Sequence, residues 1–328
     1  MKCKIVLSIF LLITLACGWS KSSNSSAIFQ NTAIPPTINI SKTTQPEIPS
    51  SYPALTAGDT TKSLLHNNLK RNYVLHIPRG YDPNRPTPVV IVLHGYGLNA
   101  QEMMRITGFN SEADRSGFIV VFPEGSGIKS SWNGGTCCGE ALINNTDDVG
   151  FIRTLLAELA GFVHTDAKRV YATGFSNGAI MAYRLACDLS EQIAAIAPVS
   201  ATQSTVTCQP NQAVSVIHFH GTADKLNPYE GKLGADEKQK FTSVKDTIQL
   251  WVAKDECLLK PLSEQLGNIL HDTYTPCMGG TAIELYTVNG GEHAWPGGES
   301  VSQEIGKPTQ EILATELIWK FFAAHPKP

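Results

Sequence analysis

The chain is short of charge: only 17% of its 328 residues are Asp, Glu, Lys or Arg. That scarcity argues against long disordered or coiled-coil stretches, which are charge-rich. A basic excess is also missing. With 26 Lys and Arg against 29 Asp and Glu, the net charge of −3 excludes a general nucleic-acid binder. No apolar run approaches the roughly 20 residues that a membrane-spanning helix needs. No CxxC pair or His/Cys spacing suits zinc, so no metal site is expected, and no internal repeat is found. What the chain does have is a 42% hydrophobic composition, enough for a sizeable core in one large domain or two small ones. It also has eight cysteines, many for a reducing compartment.

The N-terminus reads as an address. Lys2 and Lys4 precede a twelve-residue apolar run, Ile5 to Ala16, too short to span a bilayer but suited to a signal peptide over residues 1–17. The run ends at Thr14-Leu15-Ala16-Cys17-Gly18. A small residue before Cys and Gly resembles a bacterial lipoprotein processing site, although Thr14 stands where that pattern prefers Leu. A lipid anchor on Cys17, tethering the protein to a bacterial membrane, is the leading expectation, with plain secretion next. Residues 18–57 are rich in Ser, Thr and Pro. They cannot bury enough apolar surface to offset their ordering entropy, so they read as a disordered stalk before a folded body at 58–328.

From residue 63 onward, strand and helix patterns alternate. Leu69 to Pro78 alternates like a half-exposed strand, and Pro78-Arg79-Gly80-Tyr81-Asp82-Pro83 is a turn. Val89 to Leu93 is a continuous β-branched apolar run, the mark of a strand buried on both faces. Phe118–Phe122, Val170–Thr173, Ile193–Val199, Val214–Phe219 and Ile283–Val288 share that character. Helical patterns fall at Asn110–Arg115, Val149–Val163, Asn177–Leu189, Thr242–Val252 and Thr309–Phe322. This alternation predicts a single α/β domain, a mostly parallel central sheet with helices on both faces.

Chemistry enters at Gly174-Phe175-Ser176-Asn177-Gly178, which fits G-x-S-x-G between a strand and a helix. Such an elbow holds a serine in a strained, exposed turn at a helix N-terminus. A serine nucleophile needs a base, and the base needs an orienting acid. After Ser176 the strand Val214–Phe219 runs into His220-Gly221-Thr222-Ala223-Asp224, which puts Asp224 at the sheet edge where α/β active sites lie. After the next strand comes Gly290-Gly291-Glu292-His293-Ala294-Trp295-Pro296. A His among glycine-rich turns there suits a base. The assignment is Ser176 nucleophile, His293 base, Asp224 orienter.

The rivals are weaker. Glu230 lies beyond Pro228, and Glu292 reads as a surface group or a support beside the base. His218 and His220 end their strand and read as structural, with His220 also a candidate pocket-lining residue. His66, His76, His164, His271 and His325 have no catalytic setting. For the oxyanion, the amide after the nucleophile, Asn177 N–H, should pair with one from His94-Gly95-Tyr96-Gly97 after the first buried strand. Tyr96 N–H is the choice, with Gly97 N–H open.

These motifs occur in order with Trp132-Asn133-Gly134-Gly135-Thr136-Cys137-Cys138-Gly139 and Asp147-Asp148-Val149-Gly150-Phe151. As a set they resemble the secreted polyhydroxybutyrate depolymerase-like and feruloyl-esterase-like proteins, over roughly residues 65–325. The resemblance implies an α/β-hydrolase fold and hydrolysis of carboxylic esters through an acyl-enzyme, without metal or organic cofactor. The expected partners are feruloylated or acetylated polysaccharide fragments, or polyester oligomers, met by a monomer. Trp132 and Trp295, near the site in sequence, are candidate stacking platforms for a sugar or aryl group, with core anchoring an equal alternative. Asp147 and Asp148 read first as helix caps.

Setting aside Cys3 and Cys17, six cysteines remain: Cys137, Cys138, Cys187, Cys208, Cys257 and Cys277. Six allow fifteen disulfide connectivities. Cys257–Cys277 would staple an excursion between a helix and the last strand, and Cys187–Cys208 would close a loop after the nucleophile helix. Cys137–Cys138 is then left as a vicinal pair. Against the esterase stands a second class, a surface binding module that kept the fold. A complete Ser–Asp–His order disfavours it.

Overall fold

The computed structural model of the protein describes residues 51–204, 207–233, 240–302 and 305–328. The signal segment, Cys17 and the stalk up to residue 50 lie outside the described residues. The end of the stretch read as stalk, 51–57, lies on the body instead. Tyr52 stacks on His164 at 4.6 Å and Leu55 packs against the core, because both carry enough apolar surface to bury.

The first elements are a hairpin of β1 (Gly58–His66) and β2 (Leu69–Ile77), turned by Asn67 and Asn68 at positive φ. Such a two-residue turn matches the twist of its strands, and Asn tolerates it. Next come β3 (Thr87–Leu93), α1 (Ala100–Thr107), α2 (Phe109–Ser116), β4 (Ile119–Pro123), α3 (Gly139–Ile143) and α4 (Asp148–Phe162). The middle of the chain holds β5 (Thr165–Phe175), α5 (Asn177–Asp188), β6 (Ala195–Val199) and β7 (Ser215–Gly221). A small ribbon, β8 (Lys232–Leu233) with β9 (Lys240–Phe241), precedes α6 (Val244–Lys254). The hairpin β10 (Leu262–Leu266) and β11 (Ile269–Tyr274), the strand β12 (Ile283–Val288) and α7 (Ala314–Ala324) complete the series.

Among the described residues ten strands form one sheet in the order β1-β2-β4-β3-β5-β6-β7-β12-β11-β10. From β4 to β12 neighbours run parallel, and the antiparallel hairpins β1–β2 and β10–β11 flank this centre. Side chains alternate across a strand. In β3, Val89, Ile91 and Leu93 therefore face the layer of α4, α5 and α6, while Val90 and Val92 face α1, α2 and α7. Both faces are covered, which is why the central strands read as unbroken apolar runs.

The sequence reading did not contain β1, α1, α3 or the β10–β11 hairpin. The excursion between Cys257 and Cys277 is that hairpin, and the Cys257–Cys277 disulfide closes its base. Cys187–Cys208 ties the end of α5 to the loop after β6, and Cys137–Cys138 forms a vicinal disulfide. Among the described residues no helix is long and apolar enough to cross a membrane.

Candidate active site

β5 ends at Phe175 and α5 begins at Asn177, so Ser176 alone turns the chain, with φ 54° and ψ −118°. A non-glycine residue held there is strained, and the surroundings must enforce it. They do so by close approach. A Cβ added at Gly174 would lie 2.4 Å from the Gly178 carbonyl, and one at Gly178 would lie 2.2 Å from the Leu93 oxygen. Both glycines of the motif are therefore steric requirements. Ser176 N–H donates to Val199 O at 3.0 Å, tying the elbow to β6.

Asp224 and His293 come from the loops after β7 and β12, neighbouring parallel strands. The loops meet because Gly221 has no side chain: a Cβ there would lie 2.2 Å from the Gly291 oxygen. Ala223 N–H donates to Gly291 O at 2.8 Å, and Gly290 N–H donates to Thr222 Oγ1 at 2.8 Å. Asp224 is buried, with Oδ1 accepting from Leu226 N–H at 2.9 Å and Asn227 N–H at 2.8 Å. Its Oδ2 sits 2.7 Å from His293 Nδ1. A proton on that nitrogen leaves His293 Nε2 as an acceptor. Ser176 and His293 line the same cavity, and among the described residues no hydrogen bond joins Ser176 Oγ to the imidazole. Such contacts commonly tighten only when substrate is bound.

The oxyanion donors can be narrowed. Gly97 N–H already donates to Ser130 O at 2.8 Å, which removes it. Tyr96 and Asn177, whose amides were the first choices, both line the cavity, and Asn177 opens a helix whose first N–H groups have no intrahelical acceptor. Beneath Tyr96, His94 is buried and holds the loop in place. Gly125 N–H donates to His94 Nε2 at 2.9 Å, so the ring proton is on Nδ1 and donates to Gly95 O at 2.8 Å. Burial pushes the His94 imidazole down to about 4, keeping it neutral.

The loop from Trp132 to Gly139 is clamped to α5. The Asn177 side chain accepts from Trp132 N–H at 2.7 Å and donates to Trp132 O at 3.1 Å. Trp132 Nε1 donates to His94 O at 3.0 Å. Asp148, fully buried, receives Asn133 N–H at 2.8 Å and Arg71 Nη2 at 2.8 Å, and the Arg71 guanidinium lies over the Phe151 ring. Burial pushes the Asp148 carboxyl up, opposed by Arg71. Asp147 caps α4 through Gly150 N–H at 2.8 Å, whereas Asp148 anchors this loop. The sequence placed both as caps; only the approach of Arg71 from β2 distinguishes them.

The cavity holds about 320 Å³, with Tyr96, Leu98, Cys137, Cys138, Phe175, Ile180, Leu226 and Phe241 among its lining residues. Among the described residues no Asp, Glu, Lys or Arg lines it. The vicinal disulfide is thus part of its wall, a role the sequence did not signal. Three expected substrate contacts are corrected. Trp132, Trp295 and His220 are all buried and none lines this cavity. Trp132 and Trp295 spend their indole N–H groups on His94 O and Thr315 Oγ1, and His220 lies beneath Asp224. Nearness to a motif in sequence does not tell which way a ring points. A larger cavity of about 560 Å³, between α4 and the starts of β3 and β5, is at the opposite edge of the sheet, and no Ser, Cys or His is among its described lining residues.

An elbow serine, a His–Asp pair on the next strands and covered parallel strands define an α/β hydrolase. The comparisons agree. The family model described as "Esterase PHB depolymerase" matches residues 71–228. Feruloyl esterase B of Piromyces equi is 30% identical over 234 residues, 68% of this chain and 42% of that protein. The chain thus spans less than half of that relative's length. Feruloyl esterase C of Emericella nidulans is 25% identical over 264 residues, 77% of this chain and 84% of that protein. Among solved structures, an acetyl xylan esterase from Aspergillus awamori superposes with a TM-score of 0.58 at 13% identity, covering 81% of this chain and 99% of the other. The chain is thus similar to the polyhydroxybutyrate depolymerase-like and feruloyl-esterase-like esterases, on an α/β-hydrolase fold.

Proposed function

We propose that the protein is a serine carboxylesterase acting on feruloyl or acetyl esters of plant cell-wall polysaccharides. The observation that carries the chemistry is the 2.7 Å contact of His293 Nδ1 with buried Asp224, in one cavity with an elbow serine. Ser176 Oγ attacks the ester carbonyl as its proton passes to His293 Nε2. Charge developing on the carbonyl oxygen is met by the N–H groups of Tyr96 and Asn177. Collapse expels the alcohol, protonated by His293, and leaves Ser176 acylated. Water, deprotonated by His293, then releases the acid. No step needs a metal or an organic cofactor.

The acyl group is neutral and of modest size in this reading, supported by a described lining without charged side chains and by a cavity near the lower end of ordinary ligand sites. Cell-wall esters are favoured by the relatives' names, feruloyl esterase and acetyl xylan esterase. A polyester oligomer is the second reading, favoured by the description of the matching family model. The protein works outside the cell as a monomer, a location in keeping with its three disulfides, and is held at a membrane by a lipid on Cys17. Two assays test the reading. Ser176→Ala should abolish p-nitrophenyl acetate hydrolysis with an unchanged circular dichroism spectrum, and retained turnover refutes the nucleophile. Release of ferulate, acetate and 3-hydroxybutyrate from natural polymers should favour the first two. Release of the last alone makes the polyester the substrate.

A further inference from the structure

Behind Asp224 lies a chain of buried polar groups that the reaction as described does not use. His218 and His220 are two residues apart on β7, so they share a face, and their rings stack at 5.3 Å. Tyr183, on the nucleophile helix α5, places its hydroxyl 2.7 Å from His218 Nδ1. His218 Nε2 is 3.1 Å from His220 Nδ1, and His220 Nε2 is 2.8 Å from Asn227 O. All three side chains are buried.

The protons in this chain can be placed. A carbonyl oxygen only accepts, so the Asn227 carbonyl requires a proton on His220 Nε2. In a neutral ring, His220 Nδ1 is then an acceptor and receives His218 Nε2–H. By the same rule His218 Nδ1 accepts, and it receives the Tyr183 hydroxyl proton. Each imidazole donates once and accepts once, and any other arrangement of neutral rings sets two acceptors or two donors against each other. Burial holds the imidazoles of both histidines below their ordinary range. The titratable groups around the His220 ring are His218 on its own strand, Asp224 and Tyr229 from the loops beyond, and His293 from the loop after β12.

The end of the chain meets the catalytic pair. His220 Nε2 lies 3.5 Å from Asp224 Oδ2, the oxygen that also holds His293. It also binds the carbonyl of Asn227, whose N–H donates to Asp224 Oδ1. Resting on the esterase reading above, we propose that His220 is a positioning residue, held neutral by Tyr183 and His218 so that it braces Asp224 while drawing far less on its charge than a cation would. A lysine or a protonated histidine at this place would pair with the carboxylate and weaken its hold on the imidazolium that forms during acyl transfer. A neutral N–H edge supports the acid and leaves most of its charge to His293.

The test is the pH profile of kcat/KM for p-nitrophenyl acetate in the full chain. Removing the donor concentrates the Asp224 charge on His293, which favours imidazolium. In His220→Leu the acid limb should therefore move to higher pH by about half a unit. kcat should fall about tenfold, a fraction of the about 10²–10⁴ that a positioned base contributes, with KM little changed. His220→Gln, whose amide can donate from the same place, should restore most of both. An unmoved limb, or equal losses in Leu and Gln that follow their melting temperatures, overturns the proposal. Should the Leu variant not fold, Tyr183→Phe deletes one hydroxyl and unlocks the chain from its far end. His220 can then take a second proton, and the acid limb should steepen beyond one proton; an unchanged one-proton slope overturns the proposal. Failure of the underlying reading looks different: Ser176→Ala or His293→Ala would then retain wild-type turnover, whatever happens at position 220.

Discussion

Asp255 offers a test of stability that is independent of catalysis. It follows α6 and is fully buried, and neither carboxylate oxygen makes a well-formed hydrogen bond among the described residues, although Thr281 and the Val214 backbone lie close enough to oppose the effect of burial. Burial pushes its carboxyl from 3.8 up to about 6. The folded protein therefore keeps a proton that the unfolded chain has released between those two values. Stability contributed by this group is fully present below the unfolded value and is lost as pH rises to about 6. At 1.36 kcal/mol per unit, roughly two units amount to about 3 kcal/mol. Asp255→Asn copies the shape of the protonated acid and removes the charge. At pH 7.5 it should gain up to about 3 kcal/mol, or about 6–12 °C in melting temperature for a domain of this size, and it should gain almost nothing near pH 4. Thermal melts of both proteins across that range, with disulfides intact, measure the difference. His94 works in the opposite sense, losing stability as pH falls from its unfolded value toward about 4, so only the difference between variants isolates Asp255. A gap that stays constant with pH, or an Asn variant that melts lower at pH 7.5, refutes the argument.

Other expectations follow from the packing. Gly178→Ala puts a Cβ 2.2 Å from the Leu93 oxygen, so soluble protein should be lost or its melting temperature should drop steeply; a normal melt contradicts the elbow geometry. Arg71→Met leaves the buried Asp148 carboxylate unpaired, at a cost of about 3–5 kcal/mol seen in denaturant titration. Replacing Cys257 and Cys277 by serine opens the roughly 20-residue loop that carries the β10–β11 hairpin, and should cost about 3 kcal/mol while leaving p-nitrophenyl acetate turnover at low temperature near wild type. Cys17→Ser should move the expressed protein from the membrane fraction to the medium; unchanged fractionation removes the lipid anchor.

How much of this was legible depends on what each residue signals. The central strands were readable because strands covered on both faces carry continuous apolar runs, as in Val89–Leu93, and the ends of those strands located Ser176, Asp224 and His293. The flanking strands β1 and β10 were not, since their residues are mostly exposed and only cross-strand hydrogen bonds define them. Helix α1 does carry a local signal, the Asn99–Glu102 capping box. Helix α7 begins at Ala314 instead of Thr309, because Thr309 O accepts from Gly297 N–H and Glu311 turns to Asn268. The direction of Trp132, Trp295 and His220 depends on partners far along the chain, and no local pattern encodes it.

The strand order has a kinetic consequence. The proposed oxyanion loop, nucleophile, acid and base sit at the ends of β3, β5, β7 and β12, which are near neighbours in space but span roughly 200 residues of chain. A sheet built from such distant segments closes slowly, since loop entropy is lost before distant contacts form. A chain ending before residue 283 would hold Tyr96, Ser176 and Asp224 yet have no base. Regain of turnover on refolding would therefore time the docking of the last central strand, and should lag behind the recovery of helix signal.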